Sequence, residues 1–384
     1  MKRLALFTGM AILLVLVAPS PAAAASGPPA VLSTTCPDGY LDGDTVAAAK
    51  GGDGRAHGFA AFRYSATCGD RITYFEGSGM SWTVRPTALV GKVVDVAADA
   101  TGTYLLYIIN EIGVPELAVA KRANDGSITR QAVVAPVNEA APQDGRGSIV
   151  ARGGTWYDVW SQYAGTPGRY TLHQAETMFG GGAEPGPFHV GTPTTSVSTD
   201  THPALTLGAD GQPRLFWQRA VPGGKQDLLL SVGAYGAWNP ATRVAAGVMI
   251  SSPYPALDVV ATDKRTFASW TKSTTGGDVA VVGASSGGAF SVSAPPPGPD
   301  AGSWDAHLQA SSTTVLAAFS VGDEPPGAVR MAAKNGSSAW VVSDAPSAVP
   351  PSIDTFGVAA LIYQGGGVST ALIYSGHRLY AVTH

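Results

Sequence analysis

Two acid–imidazole pairs, Asp200 with His202 and Asp305 with His307, stand at matching places in two units of a repeated pattern. A carboxylate and an imidazole two residues apart can share acid–base work or ligate a cation. The same residues suit turn chemistry, with Asp capping a turn and His packing at a sheet edge. Arg146, Tyr254 and Trp304 stand in segments that lead into inner strands, as does Asp354. Glu111 and Arg219 follow second strands, together with Gln162, Tyr163, Gln218, Lys272 and Gln364. If these segments share one face, carboxylates, imidazoles, guanidinium groups and aromatic rings converge there, as a sugar- or peptide-binding surface requires. No metal site and no cofactor is expected.

Other motifs carry less. Asp38 to Asp44 is acidic and Gly-rich but lacks the ordered ligand spacing of an EF-hand loop. Gly283-Ala284-Ser285-Ser286-Gly287 spells a nucleophile-elbow pattern, but a strand at Phe290 follows where a helix is required, so it reads as a hairpin turn. Gly180-Gly181-Gly182 and Gly365-Gly366-Gly367 precede no helix pattern and do not read as phosphate cradles.

The elements that must position these residues are short apolar runs centred on Phe62, Tyr107, Trp160, Trp217, Trp270, Phe319 and Tyr363. They recur about every 50 residues, the rhythm of stacked supersecondary units. The cleanest unit is a four-stranded meander: Leu205 to Leu207, an Asp210-Gly211 turn, Pro213 to Arg219, Asp227 to Val232, and Trp238 to Val244. Second strands such as Tyr104 to Ile109 are apolar on both faces, as expected of sheets sandwiched between neighbouring sheets. A glycine precedes each fourth strand (Gly79, Gly126, Gly186, Gly236, Gly288, Gly336 and Gly376) and fits a turn with positive φ. The fold expected is all-β: a β-propeller of four-stranded antiparallel blades, seven in number, or six with one shared blade. The last unit is read as carrying four strands of its own, ending in Arg378 to His384. The recurring aromatics are read as core packing between blades.

Lys2 and Arg3, the apolar run Leu4 to Val17, and Ala22 to Ala25 form an export leader over residues 1–25. Residues 26–54 then read as an N-terminal arm and 55–384 as the propeller. Cys36 and Cys68 are the only cysteines; in an exported chain they are expected to form a disulfide pinning the arm to the first blade. Charged residues make up only 14% and the net charge of −4 is spread out, with no basic stripe, which argues against nucleic acid as partner. No later segment has the length and apolarity of a membrane span.

The repeats, and a line such as Leu207-Gly208-Ala209-Asp210-Gly211-Gln212-Pro213-Arg214-Leu215-Phe216-Trp217, resemble the sialidase-like, BNR-repeat class of β-propellers found in exported bacterial proteins. The likeness covers most of residues 55–384 and rests on blade pattern. The Asp boxes of that class are missing, and Arg85-Pro86 is a fragment of its Arg-Ile-Pro element, so no catalytic residue is carried over. The expectation is a secreted, extracellular, monomeric binding protein that recognises a glycan, peptide or protein through its channel-face loops. The alternative is an extracellular polysaccharide hydrolase or lyase with carboxylates at the channel mouth.

Overall fold

The computed structural model describes residues 30–32, 41, 45–62, 71–109, 113–177, 188–189, 199–234, 237–248, 257–262, 265–275, 277–286, 289–293, 303–310, 314–321, 328–335, 339–344, 357–365, 368–375 and 378–383. The expected leader, Cys36, Cys68, Glu111, Tyr254 and Asp354 lie outside them, as do the side chains of Trp304 and Asp305.

Among the described residues every element is a strand, and the strands form seven antiparallel sheets. The first blade runs Val46–Lys50, Ala56–Ala61, Arg71–Ser78, Ser81–Val90, and the second Lys92–Asp99, Gly102–Ile109, Glu116–Ala123, Ile128–Pro136. The third is Gly147–Arg152, Thr155–Tyr163, Tyr170–Glu176, Phe188–His189. The fourth is Asp200–Leu207, Pro213–Val221, Lys225–Ala234, Ala237–Trp238, with Thr242–Val248 also paired to its third strand. The fifth is Asp258–Ala261, Thr266–Thr274, Gly277–Ser286, Ala289–Ser293, and the sixth Ser303–Ala310, Thr314–Val321, Ala328–Asn335, Val341–Asp344. The innermost strands touch one another in chain order, and the last of them, Gly357–Gly365, returns to touch Val46–Lys50. The sheets therefore stand around an axis, as in a β-propeller.

The seventh sheet corrects the expected frame. Its order from the hub is Gly357–Gly365, Val368–Ser375, Arg378–Thr383, and then Ala30–Val31 from the N-terminal segment. Tyr363 is thus on the innermost strand, not the second, and the last unit supplies three strands of its own. The N-terminal segment provides the fourth, with Ala30 opposite Ala381, Val31 opposite Tyr380, and the Leu32 N–H bonded to the Leu379 carbonyl at 2.7 Å. This explains why that unit looked short in sequence: its Tyr380 belongs to a third strand. The closure ties the two ends of the chain into one sheet and hides an edge that would otherwise be open.

Burial follows the strand pattern. All eight residues of Gly102–Ile109 are buried, and Tyr107, Trp160, Trp217, Trp270 and Phe319 are at most 1% exposed. The second-strand aromatics Tyr107, Trp160, Trp217, Trp270 and Phe319 pack between neighbouring sheets; Trp217, for example, joins Leu205 and Leu215 of its own blade to Tyr157, Val159 and Leu172 of the third. Gly79 and Gly126 have φ of 54° and 90°, as turns before fourth strands require. Gly91, between the first two blades, has φ of 143°, and a Cβ there would lie 2.0 Å from the Ile108 carbonyl oxygen. Gly91→Ala is therefore expected to cost about 1–3 kcal/mol, read as a lower urea midpoint; an unchanged midpoint would mean that this junction relaxes freely.

Candidate functional site: the hub and its rim

The innermost strands enclose a cavity of about 490 Å³, within the size range of small-ligand sites. Its wall is mostly strand edge, with Asp95, Ser148, Asp258, His307 and Gln309 among the side chains on it. These polar groups serve one purpose. Asp95 Oδ2 accepts from Ser148 Oγ (2.7 Å) and the Ile149 N–H (2.8 Å), and Ser148 Oγ accepts from the Leu205 N–H (3.1 Å). Asp258 Oδ2 accepts from the Leu308 N–H (2.7 Å), with His307 Nδ1 at 3.6 Å, and Gln309 Nε2 donates to the Leu361 carbonyl (3.3 Å). Each inner strand faces the channel with backbone groups that no further strand can pair. Side chains from the preceding blade supply partners for some of them. Burial pushes the Asp95 carboxyl up to about 6 against those hydrogen bonds, and Asp258 adds to the rise.

This belt was missed by sequence reasoning, although a signal was present. Asp95, Ser148, Asp258 and His307 each stand twelve residues before a second-strand aromatic: Tyr107, Trp160, Trp270 and Phe319. Each pairs with the residue just ahead of that aromatic: Leu106, Val159, Ser269 and Ala318. The register also corrects the match between the two acid–imidazole pairs. Thr201 pairs with Gln218 beside Trp217, whereas Trp304 pairs with Ser320 beside Phe319. Asp200 is therefore equivalent to Ser303, His202 to Asp305, and the two pairs sit two residues apart in the repeat. His307 lines the hub. Among the described residues no group of three His, Cys, Asp or Glu could hold a metal ion.

The described candidates that do meet lie on the rim above the third and fourth blades. Asp200, fully buried, lies directly across from Arg219 and receives a bidentate pair, Nε to Oδ1 at 2.7 Å and Nη2 to Oδ2 at 2.8 Å. The carboxylate raises the Arg219 guanidinium further, against burial, and leaves that side chain 27% exposed. His202, two residues on, is the non-glycine residue with positive φ (51°) among those described. It lies inside the bulge between Thr201 and Ala204, with Nδ1 at 3.1 Å from Thr201 Oγ1. A histidine held in that region of backbone space costs free energy that surrounding structure must offset.

Arg146 is half-buried at the foot of the third blade's inner strand, its Nε 3.4 Å from the Pro142 carbonyl. Asp144 organises that loop by accepting from the N–H groups of Asn138 (2.6 Å) and Tyr163 (2.7 Å) and from Gln162 Nε2 (3.2 Å). Gln364 leaves the expected cluster: its amide bonds Gly77 and Gly79, at the turn between the first blade's outer strands, so it belongs to the opposite face. Also on that face is a polar group that sequence reasoning did not assemble, built from Asp53, His57, Tyr74, Glu76 and Arg122. Its signal was the i, i+2 spacing of Tyr74 and Glu76 on one strand.

No protein-family model matches this sequence, and no curated protein matches it. Solved structures do. An α-L-arabinanase from Penicillium chrysogenum, complexed with arabinobiose, is 12% identical over 81% of this chain and 98% of its own, with a TM-score of 0.53. A polysaccharide lyase of family PL25, an ulvan lyase bound to -[GlcA(1-4)Rha3S]-, is 11% identical over 90% and 96%, with a TM-score of 0.58. At such identities the likeness establishes the fold: this chain is a β-propeller. The resemblance holds at the level of the propeller class, and its sialidase-like part finds no support in these neighbours. No helix among the described residues is long and apolar enough to cross a membrane.

Proposed function

We propose that this chain is an exported carbohydrate-active propeller that takes an acidic polysaccharide at the rim above its third and fourth blades and cleaves it by β-elimination. The observation that carries the reading is the Arg219 guanidinium, locked by a buried carboxylate yet still exposed. A guanidinium with fixed orientation is suited to a planar carboxylate or a sulfate. Arg146 and the exposed Lys272 add positive charge to that face, whereas Asp144 and Asp200 spend their oxygens on internal partners. Both solved neighbours hold a bound carbohydrate, in one of them a uronate-containing repeat. The leader expected over residues 1–25 would direct export.

In the proposed reaction Arg219 holds the uronate carboxylate and withdraws charge from the adjacent carbon. A base at the rim takes the proton from that carbon, the bond to the departing sugar oxygen at the next carbon breaks, and a carbon–carbon double bond forms. The leaving oxygen takes a proton from solvent. Hydrolysis, by contrast, needs two carboxyl groups available to the substrate, and the described rim carboxyls are engaged.

Incubating the mature chain with uronate-rich and neutral polysaccharides tests this. Retention of the uronate-rich polymer and release of chains with unsaturated ends are expected. Arg219→Lys, which keeps the charge but loses the planar fork, should weaken retention about tenfold or more. Equal retention of neutral polymer, or saturated products alone, would defeat the reading.

A further inference from the structure

Arg219 is flanked by cations on the neighbouring hairpins. Arg169 stands in the turn between the second and third strands of the third blade, Lys225 opens the third strand of the fourth, and Lys272 lies near the rim end of the fifth blade's second strand. Lys225 and Lys272 are exposed and Arg169 is half-buried. Backbone pairing fixes their places. The Ala220 N–H donates to the Thr199 carbonyl at 2.9 Å and Thr199 Oγ1 donates to the Gly168 carbonyl at 2.6 Å, so one residue ties the Arg169 turn to the strand that carries Arg219. On the other side Lys225 pairs with Val221, two residues beyond Arg219, and a Cβ at Gly247 would lie 3.6 Å from its Cδ.

The carboxylates on this stretch are engaged or stand at its ends. Asp200 is locked to Arg219, and Asp144 holds its own loop. Asp227, across from Arg219, accepts from the Gly247 N–H at 2.8 Å and lies 3.4 Å from Arg243 Nη1. Glu139 is exposed in the connection from the second blade, and Asp278 stands in the fifth blade's third strand, just past Lys272. Among the described residues, positive charge thus predominates from Arg169 through Arg219 and Lys225 to Lys272. Arg219 stands inside that run, not at its end.

We propose that the rim takes an interior stretch of acidic polysaccharide, several sugars long, with Arg219 at the middle of its footprint. This rests on the reading of the rim as a uronate site and adds where along the polymer that site works. Neighbouring sheets pack about 10 Å apart, so hairpins on three successive blades spread their charges over roughly 20 Å, more than one sugar covers. A polymer with repeated carboxylates meets Arg169 on one side of Arg219 and the two lysines on the other. A chain end seated at Arg219 would leave one of those sides unused.

Calorimetry of the full chain with linear uronate oligomers, from dimers to octamers, tests this. Affinity should rise about tenfold or more between dimer and hexamer as the flanking cations are reached. High salt should flatten the rise, because exposed charges are screened. Lys225→Gln combined with Lys272→Gln, both at exposed positions, should fold normally and flatten it as well. Arg85→Gln, beside Glu76 on the opposite face, should leave the rise intact.

Affinity already complete at the dimer, a rise of equal size in the double lysine variant, or an equal flattening in Arg85→Gln would each overturn the footprint. A rise with length but no unsaturated ends would uphold the footprint and defeat the elimination reading. Unsaturated ends without a rise would do the reverse, and no binding of any oligomer would defeat both.

Discussion

Arg219→Met is expected to destabilise the protein by about 3–5 kcal/mol, because it strands a buried carboxylate. Asp200 is fully buried and both of its oxygens are committed to the guanidinium. With the partner gone, the carboxylate keeps a site shaped for an anion with nothing left to offset its charge. Replacing the pair together, as Asp200→Leu with Arg219→Met, removes the charge as well as its partner and should recover most of the loss. Urea unfolding of the single and double variants measures the difference. A single variant within 1 kcal/mol of wild type would show that solvent screens the pair and that Arg219 is not held rigidly. This experiment reads stability, whereas the Arg219→Lys binding test keeps the charge, so the two outcomes separate the structural role from the proposed one.

Asp158→Asn should abolish a loss of stability that the wild type suffers as pH rises. Asp158 lies in the second strand of the third blade between Trp156 and Trp160, is 0% exposed, and neither oxygen has a hydrogen bond of normal geometry. Desolvation raises its carboxyl well above the ordinary value, against the weak pull of nearby backbone N–H groups. The native state therefore keeps a proton that the unfolded chain has released. Between the unfolded value and the raised native one, stability falls with pH by about 1.4 kcal/mol per unit. Asn keeps the shape and cannot ionise, so its curve lacks that slope; any cost of its buried amide is a constant offset. Asp95, pushed up to about 6, contributes a slope of the same sign in both proteins and cancels in the comparison. Parallel curves from pH 4 to pH 8 would show that Asp158 reaches solvent or a partner.

The blade rhythm was legible in sequence because it is set by local rules. Apolar runs such as Tyr104 to Ile109, turn glycines such as Gly79 and Gly126, and Asp210-Gly211 before a strand dictate hairpins whatever surrounds them. The aromatics Trp160, Trp217 and Trp270 announced a core because nothing so large and apolar stays exposed at such regular spacing. The seventh blade was misread because its fourth strand comes from the other end of the chain, and pairing between Ala30 and Ala381 leaves no local mark.

For the same reason, sequence alone could nominate rim residues but not sort them. It offered Asp200 and Arg219 as separate candidates; cross-strand register made them one ion pair. It took His202 for the counterpart of His307, until a two-residue offset put one at a strained bulge and the other beside Asp258 at the hub. Strand periodicity fixes which residues can share a sheet face. Only packing the sheets around an axis decides which of their charges are buried, which are neutralised, and which remain turned outward to meet a ligand.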